Sequence, residues 1–121
     1  MKPDHLVQGA EAEQQALDYL HRQGLRLIER NYRCKAGELD LIMCDRSDSL
    51  IFVEVRYRRS SDYGSASESI TPGKQRKLLA AARHYLQTHA EERPCRFDVV
   101  TLNGDSHPRM EWIKNAIQSH W

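Results

Sequence analysis

The sequence predicts an α/β domain with a mixed central sheet and flanking helices. Three observations carry that prediction. An apolar stripe of helical period lies near the N-terminus, two strand-like apolar runs are joined by five polar residues, and a second helical stripe is followed by a further apolar run. A chain of 121 residues suits one domain with its own core. Hydrophobic residues at 40% against 29% charged are ordinary for a globular protein, and no apolar run approaches membrane-spanning length. The opening MKPDHLVQGAEAE does not resemble a secretion signal, so a cytoplasmic location is expected.

The first helix is expected over about residues 5–22, where Leu6, Ala10, Ala16, Leu17 and Leu20 form one stripe. Glu13 falls inside it, three residues after Ala10 and four before Leu17. A carboxylate on a packing face is costly unless it has a partner, although its stem can pack while its head reaches water. Gly24 closes the helix. Leu25 to Arg33 reads as a first strand, with Cys34-Lys35-Ala36-Gly37 turning into a central hairpin.

That hairpin, Leu39 to Cys44 and Leu50 to Val55 around Asp45-Arg46-Ser47-Asp48-Ser49, organises the chain. Strand alternation puts Glu38, Asp40, Ile42 and Cys44 on one face, with Phe52, Glu54, Arg56 and Arg58 on the corresponding face of the second strand. A loop centred on Ser47 sets Asp40 opposite Glu54, Ile42 opposite Phe52 and Cys44 opposite Leu50. Opposed carboxylates repel by a few tenths to about 1 kcal/mol, a cost that a cation would remove. Alternating charge on a strand is usually a wet face, but here Ile42, Phe52 and Cys44 give the acids apolar company. With Glu13 aimed at the sheet, Asp40, Glu54 and Glu13 would share one metal site. Glu38 belongs either to that site or to the wet end of the hairpin.

Residues 59–72, RSSDYGSASESITP, are rich in serine and lack apolar periodicity, which is the pattern of a mobile surface loop. It fits a flap over a substrate and a plain exposed linker equally. Thr71 as N-cap and Pro72 at the first helical position start a second helix running to about Glu92, with Leu78, Leu79, Ala82, Tyr85 and Leu86 on its buried face. Lys74, Arg76 and Lys77 load its first turns with cations, against the helix dipole. Together with Arg56, Arg58 and Arg59 they form a basic rim beside an acidic centre. Acids that hold a metal at a scissile bond, and bases that reach for phosphate, are the division of labour of a metal-dependent nuclease. A solvated helix face is the other reading for Lys77.

Cys95 to Leu102 reads as a further strand, and Met110 to Ile113 as a short last one with room for a final helical turn. Trp112 and Trp121 fit packing roles. Cys34, Cys44 and Cys95 form no CxxC pair, so reduced, packed thiols are expected, and the six histidines are too scattered for a metal site. A net charge of +1 names no partner by itself.

Stretches along nearly the whole chain resemble the bacterial family UPF0102. They are Gly9-Ala10-Glu11-Ala12-Glu13 with Ala16 and Tyr19-Leu20, then Glu29-Arg30-Asn31, Gly37-Glu38-Leu39-Asp40-Leu41-Ile42, Phe52-Val53-Glu54-Val55-Arg56, Lys74, and Arg96-Phe97-Asp98-Val99-Val100. The pairing of GELDLI with FVEVR at this separation is the specific part. That family is similar in fold to the restriction-endonuclease-like PD-(D/E)XK nucleases, especially archaeal Holliday-junction resolvases.

The resemblance implies that Glu13, Asp40 and Glu54 are metal-binding acids, with the Val55 carbonyl as a further ligand. It implies Mg²⁺, or Mn²⁺ in its place, branched or structured DNA as substrate, and a homodimer. Asp40, Glu54 and Arg56 would be catalytic, and Arg58, Arg59, Lys74 and Arg76 would contact nucleic acid. Arg56 stands where the motif has lysine. A guanidinium stays protonated and cannot act as a base, yet it can clamp a phosphate or stabilise its charge. Two other functions fit the same fold: a nucleic-acid-binding module without turnover, and a protein-interaction domain, which the near-neutral charge favours.

Overall fold

In the computed structural model the described residues are 4–58, 70–104 and 109–118, with side chains of the first helix from Gly9 onward. The expected loop 59–72 lies outside them except for its last residues, and Arg59, Leu6 and Trp121 are likewise outside the described side chains. Helix α1 spans Asp4–Arg22, followed by strands β1 (Arg26–Cys34), β2 (Gly37–Cys44) and β3 (Leu50–Arg58). Helix α2 (Pro72–Thr88) leads to β4 (Cys95–Asn103) and β5 (Arg109–Ile113). The strands lie in sequence order in one sheet. β1–β2, β2–β3 and β4–β5 are antiparallel, whereas β3–β4 is parallel. This mixed sheet, with a helix on each face, is the α/β architecture expected from the sequence.

Each helix forms because its apolar stripe has a sheet face to cover. Ala12, Ala16 and Leu20 of α1 pack on Leu41, Met43, Ile51, Val53, Val100 and Leu102. Leu78, Ala81, Ala82 and Tyr85 of α2 pack on Ile42, Phe52, Phe97 and Val99. Gly24, at φ 98°, ends α1, and the Leu25 N–H returns to the Leu20 carbonyl at 3.0 Å. Leu25 is therefore buried under the helix end and is not the first residue of β1. α2 stops at Thr88 rather than near Glu92, because Ala90 turns left-handed at φ 49° and the Glu91 N–H closes back on the Leu86 carbonyl at 3.0 Å.

The hairpin register is as expected, with Ile42 opposite Phe52 and Cys44 opposite Leu50. Asp45 sets its turn by accepting the N–H groups of Ser47 and Ser49, each at 2.9 Å, while Asp48 takes the left-handed position at φ 66°. After β5 the chain makes a turn rather than a helix, and Ile117 tucks into the core of the α2 side. The fully buried Asp98 fixes this end. It accepts from Arg96 Nε at 3.0 Å, Trp112 Nε1 at 2.9 Å and the Asn115 N–H at 2.8 Å. The three cysteines are free thiols. No helix among the described residues is long and apolar enough to cross a membrane.

Candidate active site

The site forms where the sheet opens. The β2–β3 ladder runs from Cys44↔Leu50 only as far as Leu41↔Val53. Beyond that point β2 continues with β1 to Cys34↔Gly37, and β3 continues with β4 to Arg58↔Asn103. The sheet thus forks into two ribbons, and the expected pairing of Asp40 with Glu54 falls one step past the last rung.

Strand alternation also breaks at this place. Leu41 and Met43 face α1 and Ile42 faces α2, but Leu39 and its cross-strand neighbour Tyr32 both pack on the α2 side. Asn31, between Arg30 and Tyr32, has φ 53°, a left-handed conformation that asparagine tolerates better than most residues. The expectation that Glu38, Asp40, Ile42 and Cys44 share one face is therefore corrected: β1 and β2 change faces together at Asn31 and Asp40. Asp40 lies at the change, and its Oδ2 accepts the Val55 N–H across the fork at 2.8 Å.

Consequently Asp40 lines two pockets. One, of about 560 Å³, opens on the α2 side and is lined by Gly37, Glu38, Glu54, Lys74 and Lys77 among others. The other, of about 620 Å³, opens on the α1 side between Glu13, Arg30, Asn31, Val55 and Tyr57. Gly37 admits the close approach of α2 to the β1–β2 turn, since a Cβ there would lie 3.2 Å from the Lys77 carbonyl oxygen.

Glu54 is buried, yet its Oε2 lies 3.3 Å from Lys74 Nζ and 4.0 Å from Arg56 Nη1. Burial is the first cause that pushes the Asp40 carboxyl up to about 8, followed by the hydrogen bond and the charge of Glu54; the Val55 N–H and Lys74 oppose the rise. Glu13 is also raised by burial, against the Arg30 guanidinium, which bonds its Oε1 at 3.1 Å.

The acids expected to share one metal are thus distributed along the fork. The half-buried Asp40 pairs with the buried Glu54, and Glu13 faces Asp40 from the α1 side in the grip of Arg30. Among the described residues no three His, Cys, Asp or Glu side chains converge closely enough to hold a metal ion. The pair itself fits a small divalent cation by the chemistry of its donors, hard carboxylate oxygens, with Lys74 and Arg56 the cations that stand beside Glu54. Val55 lies beside them, its N–H committed to Asp40.

The basic residues separate. Lys74 turns inward to Glu54, and Lys77 lines the same pocket. Arg76 is exposed on α2, and Arg58 ends β3 beyond the pockets. Glu38 pairs with Arg33 at 3.6 Å while lining the α2-side pocket. Sequence reasoning missed Arg30 as the partner of Glu13. No signal in the sequence named that partner, since Arg30 stands in another element seventeen residues after Glu13.

A mixed sheet that forks around paired carboxylates, with a cationic side chain at each mouth, defines the class as an α/β domain with an acidic candidate site. The chain belongs to the Uncharacterised protein family UPF0102, whose profile it matches over residues 12–102. It is 51% identical to the UPF0102 protein of Cupriavidus taiwanensis over 118 residues, which cover 98% of this chain and 88% of the relative. It is also 51% identical to that of Nitrosococcus oceani over 122 residues, which cover 98% of each. Among solved structures it is similar to that of the EndoMS–dsDNA2 complex, with 16% identity, a TM-score of 0.49, and coverage of 80% of this chain but 37% of that one. Similarity to Pyrococcus furiosus SfsA in complex with Ca²⁺ is 13% in identity with a TM-score of 0.35, over 96% of this chain and 66% of that one.

Proposed function

We propose that this protein is a Mg²⁺-dependent endonuclease acting in the cytoplasm on branched or otherwise structured DNA, with its centre at the β2–β3 fork. The observation that supports this reading most is the pairing of the half-buried Asp40 with the buried Glu54 at the fork. Such a pair is unfavourable in a purely structural role and favourable around a divalent cation. Asp40, Glu54 and the Val55 carbonyl would hold Mg²⁺ or Mn²⁺, with Glu13 reaching in from the α1 side on release from Arg30. The ion supplies polarisation of the phosphodiester and a lowered pKa for the attacking water. Lys77, Arg58, Arg59 and Arg76 supply charge for the nucleic-acid backbone, and two protomers would engage a symmetric junction.

A second reading, a nucleic-acid-binding module without turnover, is favoured by Arg56, whose guanidinium cannot give up a proton to serve as a base. Cleavage of a labelled four-way junction, beside linear duplex and single strand, separates the two. Metal-dependent cutting abolished by Asp40→Asn supports the nuclease. Tight, salt-sensitive junction binding without cutting supports the binding module, and the absence of both rejects the two readings together.

A further inference from the structure

Lys74 is in an unfavourable place by the criteria of its own helix. It lies in the first turn of α2, whose start is fixed by Pro72 and by the Thr71 Oγ1 that accepts the Lys74 N–H at 3.2 Å. That end of a helix carries the positive pole of the dipole, where a cation is destabilising, and no acid of the first turn offsets it. The side chain nevertheless points into the pocket and sets its Nζ 3.3 Å from Glu54 Oε2, while 39% of it remains exposed. The ammonium therefore sits at the boundary between the buried carboxylate pair and the open pocket. Arg56, the neighbouring cation on Glu54, lies farther away at 4.0 Å and is the more enclosed, at 26% exposure. Local rules broken without local compensation mark functional positions.

We propose that Lys74 is a catalytic residue of this site, the donor that binds a non-bridging oxygen of the scissile phosphate beside Glu54 and stabilises the charge that grows on it. This rests on the nuclease reading above. In the reaction the water oxygen bonds to phosphorus and the bond from phosphorus to one deoxyribose oxygen breaks. The leaving oxygen takes a proton from solvent, and the proton of the attacking water is released to solvent. Lys74 keeps its own proton throughout. Its three N–H donors suit this work: one remains on Glu54 while the others face the pocket, so the carboxylate aims the ammonium at the substrate. Arg56, with its fixed planar fork, is left to bind a neighbouring phosphate.

The test is a comparison of wild type, Lys74→Ala, Lys74→Arg and Arg56→Ala on a labelled four-way junction with Mg²⁺ and with Mn²⁺. Single-turnover cleavage and junction affinity are measured separately, and Mn²⁺ binding is followed by the rise in thermal midpoint. Lys74→Ala is expected to slow cleavage by about 10²–10³-fold, the range for loss of one preorganised donor. Its junction affinity should stay within threefold, and its Mn²⁺-induced thermal rise should be retained or enlarged, because a competing cation has left Glu54. Lys74→Arg should recover part of the rate, and Arg56→Ala should weaken junction binding more than it slows cleavage. A wild type that cuts beside an equally active Lys74→Ala overturns this assignment alone. So does a Lys74→Ala that has lost the Mn²⁺-induced rise, because Lys74 would then act by building the carboxylate pair. A wild type that cuts no substrate with either metal removes the nuclease reading and this assignment with it.

Discussion

Asp40 accepts the Val55 N–H at 2.8 Å, in the gap where the β2–β3 ladder has already ended. A side chain thus takes over the work of a backbone carbonyl just past the last rung of the ladder. Asp40→Ala should leave that part-buried N–H without this acceptor and cost about 1–3 kcal/mol, whereas Asp40→Asn keeps an acceptor oxygen. Urea unfolding of the two variants measures the difference. Equal midpoints would mean that the Val55 bond contributes nothing.

The same carboxyl makes stability depend on pH. Folding raises its pKa from an ordinary value near 4 to about 8, so the folded chain holds this proton more tightly than the unfolded chain does. The associated stability is complete below about pH 4 and is lost as pH rises through the folded value. In chelator-treated buffer the thermal midpoint of wild type should fall by several degrees between pH 5 and pH 8.5, on the scale set by about 1 kcal/mol for 4–8 °C in a small domain. Asp40→Asn should flatten this fall. Added Mg²⁺ should restore wild type most at the alkaline end, where it meets a pair already deprived of its proton.

Asp98 is the structural acid of the molecule. Fully buried, it ties Arg96, Trp112 and the Asn115 backbone together and so fastens β5 and the chain after it to β4. Asp98→Ala should lose about 3–5 kcal/mol, the range for breaking one side of a buried charged pair. Asp98→Asn should lose less. Denaturant midpoints decide, together with the fluorescence of Trp112.

Junction affinity should fall linearly with salt on logarithmic axes if cations meet phosphates. Removing Lys77 or Arg58 should each reduce the slope by about one unit and weaken different DNA sequences alike. Titration at four salt concentrations reads this directly, and an unchanged slope would assign those residues to other work.

Much of the fold was legible in the sequence because its periodicities are clean. The stripe Ala16, Leu17, Leu20 and the alternation from Leu50 to Val55 placed α1 and β3, and a five-residue turn fixed the register of Ile42 on Phe52. Part of what was not legible arose from a single residue. Asn31 at φ 53° shifts the alternation of two strands, so period-two counting from Ile42 back to Glu38 assigned Leu39 to the wrong helix. The acids Asp40 and Glu54 were found because charge interrupts apolar runs. Their separation from Glu13 was hidden, because an arginine seventeen positions after Glu13 carries no label naming its partner. Lys74 was read as a phosphate contact from its charge, and only the position of α2 over the Gly37 turn reveals the carboxylate beneath it.

The parallel pairing of β3 with β4 also dictates an order of events in time. Leu50 meets Cys95 and Arg58 meets Asn103, so each rung joins partners separated by the whole of α2 and more. Closing so long a segment is slow compared with forming the β1–β2–β3 meander, whose strands follow one another directly. As the chain leaves the ribosome, Asp40 and Glu54 are both made before α2 and β4 exist to enclose them. Lys74 arrives next, and the last wall of the core follows only after Asn103 has emerged. The carboxylate pair therefore spends the early life of the protein in water and is enclosed only when the final strands lock in place.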